Sequence, residues 1–512
     1  MAKLSDLEFL RLSKGKKLLY RLGQFFASIP GGVANLFVKL WTLIKNGFLA
    51  IGREAKDIVT SFIEGDWKTK VSYLVMGFGC LARGQILRGL LFLAFEIIFI
   101  VFMVTSGGYW LSMLPSLGKN GPSEEYNEIL DTYVTTYHDN SFQILLYGVL
   151  TIFFIVAFIY TWRVNVKQNK IAEGILKSGK KLKSGKDDLR SMVDDKFHAT
   201  LLALPLTGIL LFTVLPLVFM ILVAFTNYSS AHNGGETGLF HWVGLQNFQT
   251  LFSWDVGGVN YSATFGEILL WTLIWAFFAT FTNYFLGIAV AMIINKKGIK
   301  FKKVWRTVLI MTIAIPQFIS LLYVSKMFTL NGLFNGFLMD LGIIHTAIDF
   351  WGQPTLARVM VIIINIWIGI PYLMLIATGI LMNIPADLYE SAKIDGASGW
   401  KQFSKITLPY MLFITGPYLL TSFTGNMNNF NVIYLLTGGG PHVNLSNGAG
   451  NPGDTDLLIT WLFNITQKGF GEDGAQYYLA SVIGILVFIV VAVISLIVYN
   501  LLPSVKNEED FQ

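Results

Sequence analysis

Apolar runs of about 20 residues recur along this 512-residue chain, and each is long enough to cross a hydrocarbon layer about 30 Å thick as a helix. Inside lipid the backbone must pair its own N–H and C=O groups, so such runs read as helices and not as open sheet. By length and hydropathy they fall at about 89–110, 142–162, 199–226, 268–294, 305–328, 356–382, 410–436 and 477–502. The expected fold class is an all-α polytopic membrane protein with about eight transmembrane helices. Composition agrees: 54% of residues are hydrophobic, 14% are charged and mean hydropathy is +0.57, far from a soluble domain.

Charge placement sets an orientation. Between the second and third runs stand Arg163, Lys167, Lys170, Lys177, Lys180, Lys181, Lys183, Lys186, Arg190 and Lys196. Basic loops stay in the cytoplasm, so alternation assigns every other loop. The loop 295–304 should then lie on the same side, and it carries Lys296, Lys297, Lys300, Lys302 and Lys303. Asn227–Glu267 has no Lys or Arg, and 111–141 sets Glu124, Glu125, Glu128, Asp131 and Asp139 against Lys119, so both are expected outside. Both termini are expected in the cytoplasm of a multi-pass cell-membrane protein. The formal charge of +6 follows from this topology and does not imply nucleic acid.

The chain divides into an interfacial or cytoplasmic N-terminal region (1–88), a first helix pair (89–162), a basic linker (163–198), a six-helix core (199–505) and a cytoplasmic tail (506–512). Residues 36–51 are apolar but carry Lys39 and Lys45, which favours an interfacial helix over a ninth span. The N-terminus has no uninterrupted apolar region before a small-residue cleavage site, so it is expected to be retained. A single cysteine, Cys80, excludes an intrachain disulfide, and the scattered histidines offer no ligand spacing, so no metal site is expected. No G-x-x-x-x-G-K-[ST] phosphate loop occurs, so the chain should not hydrolyse ATP unaided. Glu267, Lys326 and Arg358 fall near span ends and can snorkel.

One polar, glycine-punctuated island, Glu390–Pro409, separates two apolar runs and must lie outside lipid. Asp387 followed by Glu390 reads as a capping box at a helix start, and Gly396 supplies a stop. A second helix resumes with Trp400, Phe403 and Ile406, and Pro409 marks entry to the next span. The expected product is a helix–turn–helix (387–409) at the cytoplasmic surface with an apolar ridge that wants a partner.

This segment resembles the EAA loop of ABC-importer permeases, and the matching residues are Glu390, Ala392, Asp395, Gly396, Ala397, Phe403, Ile406, Leu408 and Pro409, with Ser391 the departure. The resemblance extends over roughly 199–505 to the larger, MalF-type permease subunit of maltose and maltodextrin importers, carried also by Ala224–Ser230, Val243–Phe248 and Asn429–Pro441. It implies the type I ABC-importer permease fold, with the loop as a coupling element seated on an ATPase subunit. It also implies the partners: a second, MalG-like permease, two ATP-binding subunits that use ATP and Mg, and an extracellular solute-binding protein. The permease itself would hold no cofactor. The outside loop after the third span is short, where some relatives insert a folded domain.

Residue chemistry points to a neutral, hydroxyl-rich solute. Asn426, Asn428, Asn429 and Asn431 crowd the seventh run, where amides are costly unless they face a partner or an aqueous path. Asn426 and Asn429 share one helix face, and amides both donate and accept. The sixth run adds Asn365, Gly369, Pro371 and Tyr372. By resemblance, the sugar contacts of the maltose-type subunit fall at Ile313, Gln317, Asn365, Ile368, Gly369, Tyr372, Gly425, Asn426 and Asn429. Ile313, Gln317 and Gly425 here replace an aromatic, a serine and an aromatic.

The reading is therefore the channel-forming subunit of an ATP-driven importer of maltodextrin or a similar oligosaccharide. Two others remain open. Glu96 inside the first run would serve a proton-coupled secondary sugar transporter, although a paired structural role is favoured. A membrane glycan enzyme would need paired carboxylates within the spans, and none is evident.

Overall fold

The computed structural model describes residues 38, 41–43, 45–47, 49–182, 184–253, 260–296, 298–445, 450–468 and 474–501. The expected tail at 506–512 and residues 1–37 of the expected N-terminal region lie outside them. Among the described residues, seven helices are long and apolar enough to cross a membrane, and an eighth span is possible as a bent pair. They form two compact units, Met1–Leu222 with His232–Trp242 and Val223–Ala231 with Val243–Gln512.

The N-terminal unit holds the spans Ile86–Met113 and Ser141–Lys177 and all but the last residue of Phe197–Val223. The second continues into the basic stretch because Asn165, Asn169 and Glu173, four residues apart, place a polar stripe on one buried face. Against that stripe pack the short helices Trp67–Val71 and Phe78–Leu81. The Arg83 guanidinium donates to Asp66 (2.5 Å), Thr69 Oγ1 (2.6 Å) and Asn169 Oδ1 (2.8 Å). Asn165 Oδ1 accepts the Gly77 N–H (3.0 Å), and Glu173 accepts the Asp66 N–H (3.2 Å) and the Thr69 hydroxyl (2.9 Å). Glu96, the lone carboxylate of the first span, accepts the Met76 N–H at 2.8 Å, so its acceptor capacity serves packing.

A two-stranded antiparallel hairpin, Ser123–Asn127 with Thr132–Thr136, joins the first two spans and adds a little strand to the helical architecture. It is anchored by Asp139, whose carboxyl is held below the usual range by N–H donors from Asn120 and Lys119.

In the C-terminal unit the fourth span, Tyr261–Asn295, is capped by the Asn260 side chain and packs along the sixth, Pro354–Met382, which starts on a first-turn proline. Two glycines set their approach. A Cβ at Gly287 would come within 2.6 Å of Leu373 Cβ, and one at Gly369 would overlap the Asn283 amide. Asn283/Gly287 and Gly369/Leu373 are both i,i+4 pairs, so each helix offers one notch and one knob to the other.

The fifth span, expected as one run, is broken. Lys302–Ala314 and Gln317–Met327 meet at 91°. Pro316 has no N–H to give, and Ile315 before it is extended (φ −82°, ψ 125°), as residues before proline prefer.

The seventh span differs at both ends from 410–436. It begins in the polar island as one helix, Gly399–Met427, and stops before a separate helix, Phe430–Leu436, whose first turn is capped by Asn429. A π-helical turn, Phe403–Thr407, lies just ahead of Pro409. The wider turn relieves the clash of a proline ring with the carbonyl four residues back, so the helix passes through. The same pairing recurs at Leu210–Val214 and Pro216.

The stretch after Leu436 is strapped down before the eighth span, Tyr477–Tyr499. Arg358, expected to snorkel, instead donates from Nε to the Asp454 carbonyl (2.7 Å) and lies 4.8 Å from the Trp271 ring centroid. Trp271 donates to the Thr455 carbonyl at 3.1 Å. The buried Asp454 carboxylate accepts the backbone N–H groups of Val443 and Asn444, and the buried Asp456 carboxylate accepts that of Gly453.

A branched side chain in the notch should be costly. Gly369→Val is expected to destabilise the protein by about 1–3 kcal/mol, the usual penalty of overpacking, read as a lowered melting midpoint in detergent. Asn283→Ala in the same chain should recover part of the loss.

Candidate functional site

The polar island folds as a bracket. Its first helix is Ala386–Ile394, two residues earlier than a cap at Asp387 would give. Pro385 stands at the N-cap without a side-chain hydrogen bond, and Asp387 sits in the first turn, where its charge suits the helix dipole. At the other end Gly396 adopts φ +72°, the Ala397 N–H reaches the Ala392 carbonyl (2.8 Å) and the Gly396 N–H reaches that of Lys393 (3.0 Å). Asp395 is the C-cap. These bonds are the Schellman stop expected of Gly396.

Ser398 then caps the next helix, and the Tyr389 hydroxyl bonds Thr407 Oγ1 at 2.8 Å, tying both arms together. Ile394 and Trp400 are 87% and 75% exposed, large apolar side chains at the bend with nothing over them among the described residues. Trp400 and Phe403 rings lie 5.5 Å apart, the start of the expected ridge, with Ile406 and Leu408 following on the same continuous helix and Glu390 and Ala392 on the first arm.

A cavity of about 460 Å³ opens at the break in the fifth span. It is lined by Thr312, Ile313, Ile315, Pro316, Gln317, Ser320, Trp367, Ile368 and Tyr372. Four residues singled out from the sequence, Ile313, Gln317, Ile368 and Tyr372, thus meet in one space. The bend makes the meeting possible, since it separates two helix ends that a straight span would have stacked.

The other five are placed differently. Asn365 is buried, and its carbonyl lies 3.5 Å from the Asn283 amide nitrogen. Gly369 makes the notch that admits Asn283. Asn426 donates to Thr280 Oγ1 (3.0 Å), and its carbonyl accepts the Trp275 indole N–H (3.0 Å). Asn429 donates to Asn426 Oδ1 (3.3 Å) and caps the Phe430–Leu436 helix with its own oxygen. Gly425 is open, since a Cβ there would meet nothing within 4 Å.

Sequence reasoning missed Asn283, whose Oδ1 is buried without a protein partner among the described residues. An amide in the middle of an apolar run was the available signal. It also missed Thr312, Ser320 and Trp367, which the break at Pro316 brings to the cavity.

A family profile described as a binding-protein-dependent transport system inner membrane component matches residues 283–507. The chain is 30% identical over 451 residues to the maltodextrin transport system permease protein MalC of Streptococcus pneumoniae, covering 86% of this chain and 97% of that protein. It is 32% identical over 443 residues to the maltodextrin transport system permease protein MdxF of Bacillus subtilis, covering 85% and 95%. It is 33% identical over 379 residues to the galactooligosaccharides transport system permease protein GanP of the same organism, covering 72% and 85%. The chain belongs to the binding-protein-dependent transport family. It is an inner-membrane permease component of an ABC importer, which bears out the MalF-type resemblance and sets aside the proton-coupled alternative.

Two glycines of this permease give opposite expectations. At Gly396 a Cβ would have space but the positive φ would be strained, so Gly396→Ala should cost about 1 kcal/mol of local stability. Hydrogen exchange of the Asp395–Ala397 amides should rise while the cavity is untouched. At Gly425 the helical backbone has no positive φ and a Cβ would meet open space, so Gly425→Phe should fold as the parent does, with an unchanged melting midpoint.

Proposed function

We propose that this permease is the larger transmembrane subunit of an oligosaccharide importer and that its sugar path runs through the fifth-span cavity and the Asn426–Asn429 amides. The observation that carries the reading is the convergence of Ile313, Gln317, Ile368 and Tyr372 on one cavity at a helix break. Walls that mix apolar surface with hydroxyl and amide groups suit a neutral sugar, which has apolar C–H faces and a hydroxyl rim. Maltodextrin is the favoured class, in keeping with the maltodextrin transport systems for which the MalC and MdxF relatives are named.

In this reading the basic segment 163–198 and the island 387–409 face the cytoplasm with both termini, and the core spans 199–505. The chain supplies no phosphate loop, so two ATP-binding subunits using ATP and Mg provide the energy and a second, MalG-like permease completes the path. The permease needs no cofactor of its own. Glu390, Ala392, Asp395, Gly396, Ala397, Phe403, Ile406, Leu408 and Pro409 couple it to the ATPase through the exposed bend at Ile394 and Trp400. A loaded binding protein docks outside, against loops that include 437–475. Docking and ATPase closure open the site outward, and hydrolysis returns it inward.

The test is uptake of labelled maltotriose by the assembled complex in proteoliposomes. Tyr372→Ala and Asn426→Ala are each expected to lower the rate about tenfold, the scale of one lost good contact, with the complex still intact by size exclusion. Unchanged uptake in both variants would sink the assignment of the path.

A further inference from the structure

The cavity has one wall that neither the loop motif nor the family resemblance assigns. Trp367 lies on the sixth span between Ile366 and Ile368, lines the cavity with Ile368 and Tyr372, and is half exposed. The three tryptophans packed around these spans, Trp271, Trp275 and Trp351, commit their indole N–H to a backbone carbonyl, of Thr455, Asn426 and Ser325 respectively, whereas among the described residues the exposed Trp305 and Trp400 do not. Trp367 has no such acceptor among the described residues, so both its ring face and its donor are available to something that enters the cavity.

The surrounding chemistry narrows what that is. No Lys, Arg, Asp or Glu is among the lining residues, so an anionic sugar would lose its hydration without an ionic partner. Ser320 offers a hydroxyl, Gln317 an amide and Tyr372 a phenol. At about 460 Å³ the space falls within the range of small-molecule sites, about 300–1,000 Å³. The two positions where the family resemblance expects rings hold Ile313 and Gly425, and the aromatic rings that remain on these walls are Trp367 and Tyr372.

We propose that Trp367 is an aromatic platform and a specificity-determining residue of the transporter: its indole face carries one neutral pyranose ring, and its N–H donates to a hydroxyl on the ring's rim. The assignment rests on the cavity being part of the sugar path. A flat ring is needed because a pyranose presents its C–H bonds as a flat apolar face, which a branched aliphatic side chain of similar size covers poorly.

The experiment compares Trp367→Phe, Trp367→Leu and Trp367→Ala in the complete complex, with its partner permease, ATPase subunits and binding protein, in proteoliposomes. Initial uptake is measured over a concentration series of labelled maltotriose and galactotriose. Trp367→Ala and Trp367→Leu should each lose about tenfold in uptake efficiency for the preferred sugar, whereas Trp367→Phe should stay within about threefold of the parent. If leucine performs as well as phenylalanine, Trp367 only fills space and the proposal is overturned. The Phe and Leu pair decides even if the alanine variant does not assemble. Loss of uptake in Tyr372→Ala with normal uptake in Trp367→Ala would remove Trp367 alone. Normal uptake in Tyr372→Ala, Asn426→Ala and Trp367→Ala together would remove the site itself.

Discussion

The close approach of the fourth and sixth spans is the contact on which the C-terminal unit depends. Without a hydrophobic drive between helices in lipid, association rests on fit, and here fit comes from two missing side chains. Gly287 admits Leu373 and Gly369 admits Asn283. Once seated there, the fourth span serves as a post for the rest. Trp275 and Thr280 hold Asn426, Tyr284 holds Thr415 at 2.7 Å, and Asn295 holds Thr378 at 3.2 Å. The polar groups of the seventh span are thereby fixed by partners on a helix that is fixed by glycines.

Against this firm pair the fifth span is the irregular element. Its break leaves the helix end at Ala314 and the helix start at Gln317 facing a cavity, an arrangement that lipid tolerates only where protein or water covers the freed backbone groups. Discontinuous helices near a path are a recurring means of presenting polar groups within a membrane. The break also supplies Thr312 and Ser320 to walls otherwise built from aliphatic and aromatic side chains.

Span number and order were legible because bilayer thickness dictates length, and the island was legible because polar residues at that density cannot enter lipid. The Gly396 stop was legible because few residues tolerate its φ. The break at Pro316 had a signal, a proline inside an apolar run, but Pro371 and Pro417 sit inside helices that continue, so proline alone does not separate a kink from a break. Whether a proline breaks a helix depends on the partners available to the freed carbonyls, which a single chain's order does not list. The same holds for Arg358: a charge near a span end could reach water or a carbonyl, and only the return of the chain at Asp454 decides. Gly369 and Gly425 looked alike in sequence, yet one is a notch for a neighbour and the other is open space.

The π-helical turn at Phe403–Thr407 carries a consequence for how the seventh span is clocked. One extra residue in a turn rotates everything beyond it by about 100° relative to an uninterrupted helix, since each residue advances that far. The bend carrying Trp400 and the face carrying Asn426 are therefore set at their mutual angle by that single residue. The helix between Gly399 and Met427 has 29 residues and reaches about 43 Å at 1.5 Å per residue. The two ends of this one continuous helix are therefore keyed to each other, and any rotation of the helix about its axis would turn Trp400 and Asn426 together with their phase already set.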